Sequence, residues 1–292
     1  MYLYDQAPDY LKHNPFIHSG YRVYLSTQEC ARSLLWWSNE TLNIWSHIIG
    51  FVFFLGLLIY NSLVVIPQLH PFFEDAFINT CVIISFLVTT FFSVIYHTFG
   101  CCSESAYAKW LHWDLAGITA TLAAIVTSGV HYGFHCFPEM KVFYLSIIGL
   151  LTAGALILHF HSYFQTNTFH YLRVSLFVLW AVFGVVPTFH CFHLYGGYDN
   201  PIMQTLLPRI GVMYLLCGTG FAFYITRFPE CCFPGRVDFV GSSHQVWHVL
   251  IIAAMYWWYL TGTAFVHLRS LNTCSHEMFA QIYSTDIFAI RS

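Results

Sequence analysis

Seven apolar runs follow one another at 43–66, 76–99, 107–131, 141–161, 170–194, 206–227 and 243–268. Each is long enough to cross about 30 Å of hydrocarbon as a helix of roughly 20 residues. None alternates polar and apolar residues strictly, which excludes barrel strands and leaves the helix as the way to satisfy the backbone in lipid. Pro67, Pro71, Pro138, Pro201, Pro229 and Pro234 fall between runs, while Pro187 lies inside the fifth and predicts a kink there. The pattern predicts an all-α integral membrane protein, a seven-transmembrane helix bundle. Before it, residues 1–42 mix aromatics with charges and lead to Leu34-Leu35-Trp36-Trp37, a pattern suited to the bilayer interface. Ser38-Asn39-Glu40-Thr41 supplies caps for a helix starting near Asn43, and its last three residues also read as a glycosylation sequon, usable only if this end faces the lumen. The expected division is therefore a 1–42 interfacial segment, a 43–268 bundle and a polar 269–292 tail.

Composition narrows the class further. Charged residues make up 9% of the chain against 57% hydrophobic and 20% aromatic, with a mean hydropathy of +0.59. A soluble domain of 292 residues does not have that balance. The net charge of -3 is spread thinly and no basic run exceeds one residue, so nucleic acid is excluded as a partner and membrane lipid is the expected surroundings. The first forty residues lack the apolar core of a cleaved signal, so the first span is expected to target the chain. Lys12, Arg22, Arg32, Lys109, Arg173, Arg227 and Arg236 fall on the N-terminal side of the bundle, and Lys141, Arg209, Arg269 and Arg291 on the other. The positive-inside rule then gives a cytoplasmic N-terminus and, after seven spans, a lumenal or extracellular C-terminus. The ten cysteines show no spacing that suggests a zinc knuckle or a disulfide scaffold. The vicinal pairs Cys101-Cys102 and Cys231-Cys232 beside the spans read either as lipid-attachment sites or as small apolar residues.

Polar residues inside the runs are where chemistry is expected. His244 and His248 are four apart at the start of the seventh run and share one helix face. Such a pair is more often packing than ligation, so its weight depends on what else reaches the same depth. Ser93 and His97 occupy the last two turns of the second helix, and Asp114 lies two turns into the third. With seven alternating spans all five fall in one layer, roughly 5–10 Å inside one membrane face at 1.5 Å per residue. Inverting the protein moves them together. An ionised carboxylate in lipid is costly, so Asp114 should face the interior with a partner, either this constellation or a structural pairing with Lys109 or a helix terminus. His47, His131, His159, His161, His190 and His193 are expected at the opposite layer or near loops without a carboxylate companion, and His112 on another helix face. His97, His244 and His248 would make a tetrahedral zinc site with one open position, and Asp114 and Ser93 would orient a water there. That set could hydrolyse an amide or ester arriving from lipid, or simply weld three helices together. Two other seven-helix classes are excluded: Lys141 is the last lysine, so no retinal attachment exists in the final helix, and no Asp-Arg-Tyr follows the third run as in rhodopsin-like receptors.

These residues carry a family resemblance over nearly the whole chain. Asn14-Pro15-Phe16-Ile17 with Gly20-Tyr21-Arg22, then Ser38-Asn39-Glu40-Thr41-Leu42-Asn43-Ile44-Trp45-Ser46-His47, Ser93 to His97, Asp114-Leu115-Ala116-Gly117 and Gly241-Ser242-Ser243-His244-Gln245-Val246-Trp247-His248 resemble the progestin and adipoQ receptors. The resemblance implies a seven-helix bundle with cytoplasmic N-terminus and an intramembrane zinc held by His97, His244 and His248, with Asp114 and Ser93 positioning water, similar to a wider superfamily that includes alkaline ceramidases. Gly196-Gly197, Asn200-Pro201-Ile202 and Tyr256-Trp257-Trp258 resemble a Golgi-resident branch. Membership there would imply anchoring of a Raf-type kinase through the N-terminal segment and damping of the MAP kinase cascade.

Overall fold

The computed structural model describes residues 1–161, 169–271 and Cys274. Among the described residues seven helices are long and apolar enough to cross a membrane, at Thr41–Leu69, Phe73–Phe99, Glu104–Gly133, Pro138–Phe160, Leu172–Leu194, Pro201–Thr226 and Ser243–Arg269. We number the helices α1 (Thr27–Arg32), α2 (Thr41–Leu69), α3 (Phe73–Phe99), α4 (Glu104–Gly133), α5 (Pro138–Phe160), α6 (His170–Phe183), α7 (Val185–Leu194), α8 (Pro201–Thr226) and α9 (Ser243–Leu271). Large apolar side chains such as Leu63, Leu150 and Leu215 point outward, while Ser85, Thr89, Thr90, Thr119, Thr121 and Ser128 are buried between helices. This inversion follows from the solvent: lipid accepts a leucine as readily as a core does, so helix contacts are made by small and hydroxylated residues.

The polar interior sets how closely the helices approach. α3 packs against α2 and α4, and α9 against α8 and α2. Where α3 crosses α4, Thr89 Oγ1 donates to the Gly117 carbonyl at 2.7 Å. A Cβ added to Gly117 would lie 2.9 Å from the Thr89 Cα, so only glycine lets the two backbones come this near. Asp114 lies one turn before Gly117, and the crossing therefore fixes its position against α3.

The prolines behave differently from the sequence expectation at two places. Pro67 does not end the first span, because the helix passes through one π-helical turn at Asn61–Val65 and continues through Ile66–Leu69. The wider turn accommodates a ring that would otherwise clash with the carbonyl four residues back. Pro208 sits inside α8 as well. Pro187 does accompany a break, at Gly184 between α6 and α7.

Residues 1–40 fold against one end of the bundle. A short antiparallel ribbon pairs β1 (Tyr2–Leu3) with β2 (Ser19–Tyr21), and Ala7, Ile17, Tyr21 and Val23 form a small core beneath it. The segment is tied to the loop before α9: Asn14 Nδ2 donates to Glu230 at 3.0 Å, and the His18 amide and Ser19 hydroxyl donate to Asp238 at 3.0 and 2.7 Å. The cysteines also depart from expectation. Cys136 and Cys274 form a disulfide at the other end of the bundle, a pairing 138 residues apart that no local spacing announces.

Candidate metal centre

The start of α9 carries two of the three imidazoles, and its position is fixed by acceptors for its free amides. The first amides of a helix have no partner within it. Here Glu230, fully buried, accepts from the Ser243 amide at 2.7 Å and from the Ser243 hydroxyl. The Gln245 carboxamide reaches back to accept from Gly241 at 2.6 Å. A carboxylate at this end also opposes the positive pole of the helix. The α3 terminus is fixed by a cation instead: Arg22 donates to the carbonyl of His97 at 2.5 Å and to Ser33 at 2.6 Å.

Between these two anchored ends the imidazoles of His97, His244 and His248 converge, placed to hold a metal ion. His244 Nε2 lies 3.4 Å from His97 Nε2 and 3.2 Å from His248 Nε2. Two nitrogens bound to one tetrahedral zinc, each at 2.0–2.1 Å, stand about 3.3 Å apart. The opposite ring nitrogens are engaged elsewhere: His97 Nδ1 with Glu40 Oε2 at 2.7 Å, His248 Nδ1 with the Asn43 carbonyl and the Ser46 hydroxyl, both at 3.2 Å. Acceptors at Nδ1 hold the proton there and leave Nε2 as a bare lone pair. A lone His244 proton can satisfy one such neighbour and not both, so the donor set fits a cation at its centre.

Glu40, just outside the first span, is the outer partner that sequence reading assigned only to capping. Burial works to raise its pKa, but the His97 ring beside it, the Asn43 amide at 2.7 Å and the Arg22 guanidinium outweigh that and hold its carboxyl below the usual range. α2 begins at Thr41, so Asn43 lies inside its first turn rather than ahead of it.

Ser93 is buried on α3, one turn from His97, and both lie within electrostatic reach of the Asp114 carboxylate. The structure thus brings together all five residues that depth in the membrane singled out. Lys109, the other partner considered for Asp114, lies over the Trp110 ring with 4.8 Å to its centroid. Two expectations about the remaining histidines are corrected. His47 is in this layer, its ring 3.9 Å from that of His248, because α2 also starts at this end and His47 is two turns in. His131 does have a carboxylate companion, Asp75 at 3.0 Å.

Comparison with known proteins agrees with the residues. The family model described as Haemolysin-III related matches residues 35–259. The chain is similar to Progestin and adipoQ receptor family member 3 of Homo sapiens, 38% identical over 275 residues that cover 94% of this chain and 88% of that protein. The Mus musculus protein of the same name matches to the same extent. The Adiponectin receptor protein of Drosophila melanogaster is 29% identical over 284 residues, covering 96% of this chain and 60% of that one.

Proposed function

We propose, since the chain belongs to the haemolysin-III related family of progestin and adipoQ receptors, that His97, His244 and His248 hold a zinc ion within the membrane and that the protein is a receptor-like regulator responding to membrane lipid. The observation that carries this is the convergence of three Nε2 atoms whose rings are oriented by partners on their far sides. Zinc supplies a Lewis acid that lowers the pKa of a bound water toward 7. Asp114, with Ser93 beside its carboxylate, is within reach of His97 and is the group that would accept a proton next to that position. The pairing favours a second reading, hydrolysis of a lipid amide of ceramide type, over a purely structural role, which needs no carboxylate base.

Resemblance to the Golgi-resident branch supports placement in the Golgi membrane with residues 1–42 in the cytosol, anchoring a Raf-type kinase and damping the MAP kinase cascade. The orientation draws support from sulfur chemistry: the disulfide of Cys136 lies at one end, and the thiols of Cys30, Cys101 and Cys102 at the other, as an oxidising lumen and a reducing cytosol would leave them. Leu35 and Trp37 are 86% and 58% exposed on the N-terminal segment, Trp37 stacked on Phe239, and belong to the stretch suited to the bilayer interface, so a partner would meet them at the membrane surface.

The deciding experiment is metal analysis of detergent-purified protein beside His97→Ala and His244→Ala. Near one zinc per chain, lost in both variants, is expected; a folded wild type without zinc overturns the reading. The kinase branch is tested by Leu35→Asp with Trp37→Ala rather than by deleting residues 1–40, since deletion also removes Arg22 and Glu40. Unchanged kinase recruitment to Golgi membranes in that variant argues against this surface.

A further inference from the structure

Three thiols from two distant stretches meet beside the metal centre without belonging to it. Cys30, on α1, is fully buried, and its sulfur lies 3.5 Å from that of Cys101 and 3.3 Å from that of Cys102. Cys101 is buried and Cys102 partly exposed. Both belong to the turn between α3 and α4, which begins a few residues after His97. The backbone around the cluster is held from both sides. The Ser33 hydroxyl donates to the Cys30 carbonyl at 2.7 Å, and the Tyr24 amide donates to the Cys101 carbonyl at 2.8 Å.

We propose that Cys30, Cys101 and Cys102 form a hydroperoxide-reactive thiol site in which oxidation joins Cys30 to the vicinal pair and fastens the N-terminal segment to the α3–α4 turn. The sulfurs are already within about 1.5 Å of the bonded distance of roughly 2.05 Å. Sulfurs this close with backbones anchored on both sides need only side-chain rotation to join. Cys102 is the point of entry because it is the member that solvent reaches. Its thiolate attacks one oxygen of hydrogen peroxide or an organic hydroperoxide; the S–O bond forms, the O–O bond breaks, and the other oxygen leaves as hydroxide or alkoxide and takes up the thiol's proton. The Cys30 sulfur then attacks the Cys102 sulfur of the resulting sulfenic acid. The S–S bond forms, the S–O bond breaks, and the hydroxyl leaves with the Cys30 proton as water. Two thiols are oxidised by two electrons and the peroxide is reduced.

Cys101 is the second acceptor for the same bridge. Hydrogen bonding from Cys30 and the nearby Arg22 guanidinium lower its pKa against the effect of burial, while that of Cys30 is raised. A Cys101 thiolate attacking Cys30 displaces Cys102 and moves the disulfide into the buried pair. Either bridge ties α1 covalently to the turn that follows the His97-bearing helix.

The test uses full-length protein in detergent micelles, exposed to hydrogen peroxide, alkylated under denaturing conditions and digested without reduction. A peptide joining Cys30 to the Cys101-Cys102 stretch, released by reductant, is expected. In Cys30→Ser the bridge is lost and Cys102 accumulates as a sulfenic acid that dimedone traps. Cys102→Ser, at a partly exposed position where folding is not at stake, should slow oxidation of Cys30 by about tenfold. Cys30 remaining fully alkylatable after peroxide, or oxidising at the same rate in Cys102→Ser, overturns the proposal.

Discussion

The same three helices build a polar cluster containing buried histidine at each end of the bundle, and the two clusters solve their electrostatics in opposite ways. At one end α3 and α9 supply His97, His244 and His248, with Asp114 of α4 alongside. At the other end α3 supplies Asp75, α4 supplies His131 and α9 supplies Arg269, whose Nη1 lies 2.5 Å from Asp75 Oδ1 and 2.7 Å from His131 Nε2. A carboxylate, an imidazole and a guanidinium make a closed set, in which the protein's own cation neutralises the buried charge. Among the described residues the first cluster has lone pairs and carboxylates, and Arg22, which offsets Glu40, is held outside the three imidazoles at the His97 carbonyl and Ser33. A site that already contains its cation is a closed joint, whereas the three converging imidazoles could hold one from outside.

That comparison can be broken from either end. Arg269→Ala should have the largest effect on stability, since it leaves the almost fully buried Asp75 without its cation; breaking a buried pair costs about 3–5 kcal/mol. Unfolding of the detergent-solubilised protein measures it, and zinc content per folded chain should not change. If zinc falls with stability, the two ends are not independent. Glu40→Gln acts on the other end: it keeps the shape but weakens the acceptor that orients His97, and loss of such an outer partner lowers metal affinity roughly 10–100-fold. Competition with a chromophoric chelator reads this directly, and an unchanged affinity would remove Glu40 from the site. The smallest effect is expected for Lys109→Ala, within about 0.5 kcal/mol and with unaltered zinc content, because its partner is the Trp110 ring and not Asp114.

Much of this was legible along the chain, and the reason is the solvent. Seven apolar runs are sufficient to place seven helices, and because each run must cross one bilayer, depth can be counted from its ends; that brought Ser93, His97, Asp114, His244 and His248 into one layer. The same count applied to α2 reaches His47, a signal present and not used. Glu40 looked like an ordinary capping residue, since nothing local marks a carboxylate that meets a histidine 57 positions later. Asp75 and Arg269 stand just outside the runs 76–99 and 243–268, where charges flank most spans. Cys30, the Cys136–Cys274 bridge and the contact of Glu230 with Asn14 share a different limit: the partners are distant in sequence and lie outside the spans, where no period records which segments will meet.

The separation of His97 from His244 by 147 residues has a consequence for how the protein is made. While the chain is being threaded into the membrane, the first six spans carry one imidazole of the three, and the carboxylates of Glu40 and Asp114 wait beside it. Only insertion of the last helix, docked by Glu230 at its first turn, completes the set. With the proposed metal site, metal loading would be the closing event of biosynthesis, and a chain that stops short of Ser243 would be distinguishable from a finished one by the metal it fails to retain.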